Sequence, residues 1–590
     1  MKTWHYLWQL IRFRPGLYLL NFLCWTTIHA MPLLPGLVLR EFFNTLTGNA
    51  ALNFGLWTLI ALYATPLVLR TITMFAGFYV DYTFTASLSA LLRRNILEAI
   101  LQRPGARALT SSSGDAISRF RDDVEEISGF VDWTATLLGR VILALVVVGI
   151  LLSINVVITL LIFVPLLGVV AASNIAKTYV ETYRRASRES TGRVTSFLGS
   201  MFVAVYAIKA TNAEAHVTRR LQMLNESRQQ LSVKDRVFTE VLDSIGGNAI
   251  SLGTGIILLF AGQIIQSGSF TIGDFSLFVY YLSWMTEVVF FLGRSLSRYR
   301  QGSVSIERMH MLMQDRPLEQ LVEHRPIYLD GRLPELPMAQ KTAQDRLSRL
   351  TVSGLTYRYP ESGRGIEDVD LEIEAGSFTV ITGEIGSGKT TLVRALLGLL
   401  PPDNGTIRWN DTPVDDPAEF FVPPRVAYTP QVPRLFSQTL SDNILMGLPE
   451  DQVDLPGALR AAVMERDVAM LEHGLATPVG PSGVKLSGGQ MQRVAAARMF
   501  VRDANLLVFD DLSSALDVET EQALWERLFA QQDKTCLVVS HRRAALRRAT
   551  QIILLQDGRV LAKGSLDQLL AECEQMQRLW HGDITPSPAY

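Results

Sequence analysis

Residues 381–392 read ITGEIGSGKTTL, with four residues between Gly383 and Gly388-Lys389-Thr390. That is the spacing of a P-loop, G-x-x-x-x-G-K-[ST]. It tolerates few surroundings. A buried strand must lead in, and a glycine-rich loop must let backbone N–H groups close around phosphate oxygens. A helix must then point its N-terminus at them. Phe378–Thr382 is β-branched and apolar, as such a strand requires, and Thr391–Leu397 reads as the helix. Gly383, Glu384, Ile385, Gly386, Ser387, Gly388 and Thr391 are expected to line the nucleotide. Lys389 supplies a point charge to the β- and γ-phosphates, and the Thr390 hydroxyl is placed to reach Mg²⁺. The bland alternative is a turn that merely needs glycines.

An α/β domain around this loop does not account for the whole chain. Of 590 residues, 48% are hydrophobic and only 19% charged, and the mean hydropathy is +0.20. The apolar excess lies almost wholly before residue 300, which argues for a membrane domain followed by a soluble one. Six apolar runs, about 16–39, 56–80, 136–153, 156–170, 245–265 and 275–293, approach the ~20 residues a bilayer requires. Only Ile154-Asn155 separates the third from the fourth, so one bent segment is the rival reading there. Residues 1–15, MKTWHYLWQLIRFRP, are amphipathic and basic and suit a helix at the cytoplasmic interface. The apolar run after them is too long for a cleaved signal peptide. The net charge of −2 comes with no basic tract, so no nucleic-acid partner is expected. Cys24, Cys536 and Cys573 show neither metal nor disulfide spacing.

Charge sets the orientation. Arg93, Arg94, Arg103, Arg107, Arg119 and Arg121 lie between runs two and three, and a larger set from Lys177 to Arg236 between runs four and five. Stretches 154–155 and 266–274 carry no Lys or Arg. Both termini and both long loops are therefore expected in the cytoplasm, in a multi-pass protein of the inner or plasma membrane. Arg40, at the outer end of run one, dissents. The long loops are rich in helix formers and read as helical extensions of the spans, each pair closed by a short transverse piece. Arg70 and Glu287 sit mid-span, where inter-helix pairing or snorkelling is weighed above substrate contact. Phe278, Tyr280, Tyr281, Trp284, Phe290 and Phe291 make run six aromatic, either for packing or as a lining.

From Gln314 to Arg346 the chain is polar and contains Pro317, Pro326, Pro334 and Pro337, which reads as a linker. The expected domains are thus a membrane domain at 1–313, a linker at 314–347 and a soluble domain at 348–590. The soluble part alternates strand-like and helical runs, an α/β pattern. Four stretches in it bear on chemistry. Leu506–Asp510 is an apolar strand ending in a carboxylate, a candidate for Mg²⁺. Leu486-Ser487-Gly488-Gly489-Gln490 precedes a helix and makes a second candidate phosphate site. Leu537–His541 ends a buried strand in a histidine, and Tyr428-Thr429-Pro430-Gln431 places an amide after another strand.

Together, and in this order, these stretches resemble the ATP-binding cassette domain. With the six spans, the whole chain resembles an ABC exporter half-transporter. The resemblance implies an all-α six-helix membrane domain with long cytoplasmic extensions, followed by an α/β P-loop domain. It implies that Tyr359 stacks on adenine and that Gln431 senses Mg²⁺ and the γ-phosphate. Asp510 joins Thr390 and Gln431 at the metal, and His541 contacts the γ-phosphate. Ser514–Asp517 is the D-loop, and Ser487, Gly488, Gly489 and Gln490 cover ATP held by another subunit. Gly114–Arg119 and Asn212–His216 resemble coupling helices. Two residues depart from the family pattern. Asp511 stands where a catalytic glutamate is usual, and Pro481 replaces an acidic residue before LSGGQ. The expectation is an ATP-driven exporter or flippase for a small amphipathic or lipid-like substrate, embedded in membrane lipid. It would pair with a second half-transporter, a heterodimer being preferred to a homodimer. An ATP-gated sensor or channel regulator, or export of a peptide or siderophore, remains the alternative. The lack of a peptidase domain before run one weakens the reading as a processing-peptide exporter.

Overall fold

The computed structural model describes residues 3–49, 54–105, 113–266, 270–314, 316–329, 333–334, 341–481, 483–512, 515–530 and 534–581. Within the helices, many side chains between 162 and 269, and those of 290 and 297, lie outside the described set. The chain divides into two compact units, Met1–Ala99 with Ser111–Gly331, and Ile100–Thr110 with Arg332–Tyr590.

The first unit is helical. Thr3–Phe13 buries Tyr6, Leu7, Leu10 and Ile11 and leaves Trp4 and Trp8 exposed, as an interfacial helix would. The first span is broken at Met31-Pro32 into Pro15–Ala30 and Leu33–Leu46, so it runs further than its apolar stretch. Leu56–Leu101, Val156–Val203, Glu214–Gln266 and Ile272–Met313 hold 46, 48, 53 and 42 residues. At ~1.5 Å per residue each is at least twice as long as the ~30 Å hydrocarbon layer. The expected extensions beyond the membrane are therefore continuous helix. Among the described residues, four helices are long and apolar enough to cross a membrane: Pro15–Leu46, Leu56–Leu101, Gly114–Ile154 and Ile272–Met313. The other two expected spans fall in helices Val156–Val203 and Glu214–Gln266, where many side chains lie outside the described residues.

Runs three and four are two helices rather than one bent segment. Asn155 adopts extended backbone between Ile154 and Val156, and its side chain accepts from Ile158 N at 3.0 Å to cap the second helix. Gly114–Arg119 is not a separate helix; a π-helical turn at Arg119–Asp123 joins it to Val124–Ile154. In the other cytoplasmic loop the short helix is Val205–Ala210. Asn212–His216 comprises a turn, with Asn212 at φ 52°, and the start of the next long helix.

Arg40 loses its oddity in the fold. Its Nε lies 2.6 Å from Asp274, whose carboxylate also completes a capping box with Thr271. Asn44 accepts from Gly273 N at 3.2 Å, and a Cβ on Gly273 would come within 2.2 Å of the Arg40 carbonyl. The outer ends of spans one and six thus meet where only glycine fits.

Glu287 is paired. Arg140 donates to it at 3.0 Å, lies 4.2 Å over the Phe291 ring and donates from Nε to His29 at 3.3 Å. Arg70 lies 5.2 Å over Trp284. The aromatic face of run six mainly packs. Phe278 and Tyr281 are buried, Tyr281 donates to the Leu33 carbonyl at 2.7 Å, and Phe291 stacks on Trp133 at 4.5 Å. The Phe290 side chain lies outside the described residues. Glu287→Gln is expected to leave the mostly buried Arg140 guanidinium without its anion and to cost about 1 kcal/mol, since Glu287 itself is half exposed. A lower melting temperature in lipid nanodiscs checks this. An unchanged melting temperature with altered substrate selectivity would return Glu287 to the substrate path.

The stretch read as a linker is not all linker. Leu321 and Val322 are buried in a short 3-10 helix, and Asn95 donates to the Leu321 and Glu323 carbonyls, each at 2.9 Å. His324 meets the Gln9 carbonyl at 2.8 Å. Two apolar residues are too few to register as a period in sequence, yet they fasten this strap to the first unit.

The second unit is α/β. A six-stranded sheet has the order Arg559–Gly564, Gln551–Gln556, Phe378–Gly383, Thr535–Val539, Leu506–Asp510, Val426–Thr429. Its strands are parallel except for the first pair. Buried on both faces, Phe378–Gly383, Leu506–Asp510 and Thr535–Val539 need the continuous apolar runs their sequences show. A separate four-stranded sheet carries Arg349–Arg358 and Gly365–Glu374.

Candidate nucleotide site

Parallel pairing lines up the ends of the central strands. Gly383, Asp510 and Val539 finish adjacent strands, and Thr429 finishes the next. The residues just after them, 384–388, 511, 540–541 and 430–431, therefore gather at one edge, where open α/β sheets hold ligands.

The P-loop occupies this edge. Gly383, Gly386 and Gly388 have φ of 143°, 87° and 98°, and a Cβ on Gly383 would come within 2.2 Å of the Leu555 carbonyl. Helix Lys389–Leu396 follows at once, so its first N–H groups face the loop. Lys389 Nζ donates to the carbonyls of Gly383 at 2.9 Å and Glu384 at 2.6 Å. Burial pulls the Lys389 pKa down, while Asp511, Asp510 and Glu384 push it up. Thr390 Oγ1 donates to Asp510 Oδ1 at 3.0 Å, and Tyr428 OH donates to Asp510 Oδ2 at 3.4 Å. Asp510 is fully buried, and burial raises its pKa against the opposing pull of Thr390, Arg394 and Tyr428. The Tyr428 hydroxyl is pushed up to about 12 by burial and by Asp510. A buried carboxylate beside a hydroxyl is the hard-oxygen pair that Mg²⁺ takes, so the donor set fits that ion.

Asp511 stands at φ 53°, with its N–H on the Val539 carbonyl at 3.0 Å. Gln431 Nε2 donates to Asp511 Oδ2 at 3.4 Å, so two residues picked from separate stretches meet. Burial raises the Asp511 pKa, and His541 is the largest influence lowering it, followed by Gln431. Tyr359 packs edge-on against Tyr357 at 5.1 Å, at the turn before Gly365, whose carbonyl lies beside Gly388.

The LSGGQ stretch forms a cap. Ser487 accepts from Gln490 N, Gln490 accepts from Ser487 N, and helix Gly488–Phe500 follows. Gln490 Nε2 donates to Asp467 at 3.0 Å, and Gln492 accepts from Ala515 N at 3.1 Å. The second bond ties the helix that LSGGQ opens to the D-loop, and the first ties Gln490 to helix Glu465–Met470. Asp517 caps the helix after it, while Ser514, like Ser482 beside Pro481, lies outside the described residues.

Sequence reasoning missed two features. Tyr428 and Arg394 brace Asp510, and nothing in their spacing announces it. Arg542 donates to Glu521 at 2.6 Å and to the Leu516 carbonyl at 3.4 Å, joining the residue after His541 to the D-loop. Its position next to a candidate histidine was the available signal.

Two family models match, one described as ABC transporter over residues 366–514 and one as ABC transporter transmembrane region over 18–289. The chain is 26% identical to an ATP-dependent lipid A-core flippase of Bordetella avium (strain 197N) over 530 residues, covering 86% of this chain and 85% of that one. It is 29% identical over 377 residues to the probable multidrug resistance ABC transporter ATP-binding/permease protein YheI of Bacillus subtilis (strain 168), covering 62% and 60%. It is 25% identical over 518 residues to the mesentericin-Y105 transport/processing ATP-binding protein MesD of Leuconostoc mesenteroides, covering 85% and 68%. The solved structure of a bacterial Atm1-family ABC exporter with ATP bound aligns with a TM-score of 0.73 at 20% identity, over 98% of this chain and 99% of that one. At that identity the likeness is one of fold.

Proposed function

The chain belongs to the ABC transporter family, as a half-transporter in which a transmembrane region is fused to an ATP-binding domain, and from this premise we propose that it moves a small amphipathic, lipid-like substrate across the membrane by alternating access. The single observation that carries the reading is the meeting of Lys389, Thr390, Asp510, Asp511 and Gln431 at one edge of the parallel sheet. A lipid-like substrate is supported by the flippase relatives. Those named for multidrug resistance and for mesentericin transport show that about a quarter identity does not select the cargo.

In this reading Lys389 and the loop N–H groups hold the triphosphate, and Tyr359 stacks on adenine. Thr390, Asp510 and Gln431 would hold Mg²⁺, which when bound neutralises charge building on the phosphate oxygens. Gln431 orients Asp511, and His541 contacts the γ-phosphate. Ser487, Gly488, Gly489 and Gln490 serve ATP on a second half-transporter. That partner is a different chain, because Asp511 is one methylene shorter than the family's glutamate. The test is ATP-dependent movement of fluorescent lipids in proteoliposomes, run alongside ATPase activity. Movement that needs ATP and stops with Lys389→Ala is expected. Hydrolysis without movement of any amphiphile tested would favour a sensor.

A further inference from the structure

The C-terminal helix Glu574–His581 is anchored by Met576, which is fully buried. One end of it reaches the histidine side of the nucleotide site. The Trp580 carbonyl accepts from Arg543 Nε at 3.1 Å and Nη2 at 2.6 Å, and Arg543 and Arg547 lie 5.3 and 5.6 Å over the Trp580 ring. Arg543 opens a helix two residues after His541. The other end reaches the P-loop, where Gln575 Nε2 donates to Glu384 Oε1. Glu384 is the first residue after the P-loop strand, and its carbonyl already holds Lys389 Nζ at 2.6 Å.

A carboxylate in a phosphate loop is a hazard. If free, it can fall onto Lys389, for which it is an attractive anion, or repel the triphosphate directly. The amide of Gln575 fixes it on the side of the C-terminal helix. We propose that Gln575 is a positioning residue for the P-loop, holding Glu384 away from Lys389 and the phosphates, so that the C-terminal helix sets the nucleotide affinity of this chain's own site. The proposal rests on the reading that this P-loop holds the triphosphate.

The test is a double-mutant cycle on the full-length chain in nanodiscs, titrating photolabelling of this chain by an azido-ATP. Gln575→Ala is expected to raise the apparent Kd at least about tenfold, as loss of one hydrogen bond to a charged group implies. Gln575 is only partly buried and Met576 is untouched, so a circular-dichroism melt should not move. In a Glu384→Gln background, where no carboxylate needs holding, Gln575→Ala should change Kd by less than about twofold. An unchanged Kd for Gln575→Ala, or an equal loss in both backgrounds, would sink the proposal. Lys389→Ala separates the two failures. If it abolishes labelling while Gln575→Ala does nothing, only the positioning role falls. If labelling survives Lys389→Ala, the P-loop reading and this one fall together.

Discussion

Replacing Lys389 by alanine is expected to raise the Kd of this chain for ATP by at least about 30-fold, because truncating one partner of a desolvated charge pair costs ~2–5 kcal/mol. The direction follows from the field at the loop. Asp510, Asp511 and Glu384 all act on Lys389, and without its ammonium Asp510 and Asp511 would face the triphosphate with only backbone N–H groups between. The ammonium is also held in place beforehand, by two loop carbonyls at 2.9 and 2.6 Å, so little ordering remains when phosphate arrives. Lys389→Arg should not rescue, since the planar guanidinium cannot occupy a pocket shaped by carbonyls around a compact ammonium. Saturable labelling of this chain by a photoreactive ATP analogue checks both variants. Labelling of Lys389→Ala at wild-type concentrations would show that the triphosphate sits elsewhere.

The candidate nucleotide site could be picked out in the sequence because its pattern is local. Gly383 to Thr390 lie within one turn of chain, and the strand before and helix after them follow from apolar pattern alone. Asp510, Gln431 and His541 were also visible, each at the end of a strand, although only parallel pairing explains why strand ends 80 residues apart meet. What could not be read are contacts whose partners share no pattern. Gln575 reaches Glu384 across 191 positions, and Arg394 reaches Tyr428 from a helix face that looks like ordinary surface. The membrane half shows the same division. Spans and their extensions follow from apolar length and helix formers, whereas the break at Met31-Pro32, the Arg40–Asp274 pair and the strap at Leu321-Val322 depend on neighbours far away in sequence. Position along the chain was less legible than kind. The cytoplasmic loop does contain a short helix, but Val205–Ala210 precedes the stretch expected to form it, because Asn212 at φ 52° turns the chain there and Glu214 already opens the next long helix.

The second large effect concerns which residues of this chain limit turnover. In the proposed reading Asp511 stands where hydrolysis needs a carboxylate, with one methylene fewer than glutamate, and displacing such a group by ~1 Å can cost ~10²-fold. Its backbone cannot make up the reach. The N–H is tied to the Val539 carbonyl at 3.0 Å, φ is 53°, and Gln431 already donates to Oδ2. The LSGGQ stretch, by contrast, is fully formed, with a reciprocal cap and an exposed helix N-terminus. This chain is therefore expected to complete a working site on its partner while its own P-loop binds ATP and hydrolyses it slowly. In the coexpressed pair, Gly488→Asp should lower ATPase activity by ~10²-fold or more, because the new carboxylate meets the partner's phosphates where a helix N-terminus should. The domain itself should tolerate the change, since a Cβ at Gly488 meets nothing nearer than Ala515 Cβ at 3.5 Å. Gly489 is a poorer probe because its Cβ would come within 2.9 Å of the Ala515 carbonyl. Ser487→Ala should also be severe, but it removes a helix cap worth ~1 kcal/mol and so confounds folding with catalysis. Asp511→Ala should cost the pair less than about threefold, given that the partner's site carries the flux. The measurement is steady-state ATPase of the pair and of this chain alone, with vanadate-trapped nucleotide assigned to each chain. Brisk hydrolysis by this chain as a homodimer, abolished by Asp511→Ala, would make Asp511 a working catalytic carboxylate and remove the reason for an unlike partner.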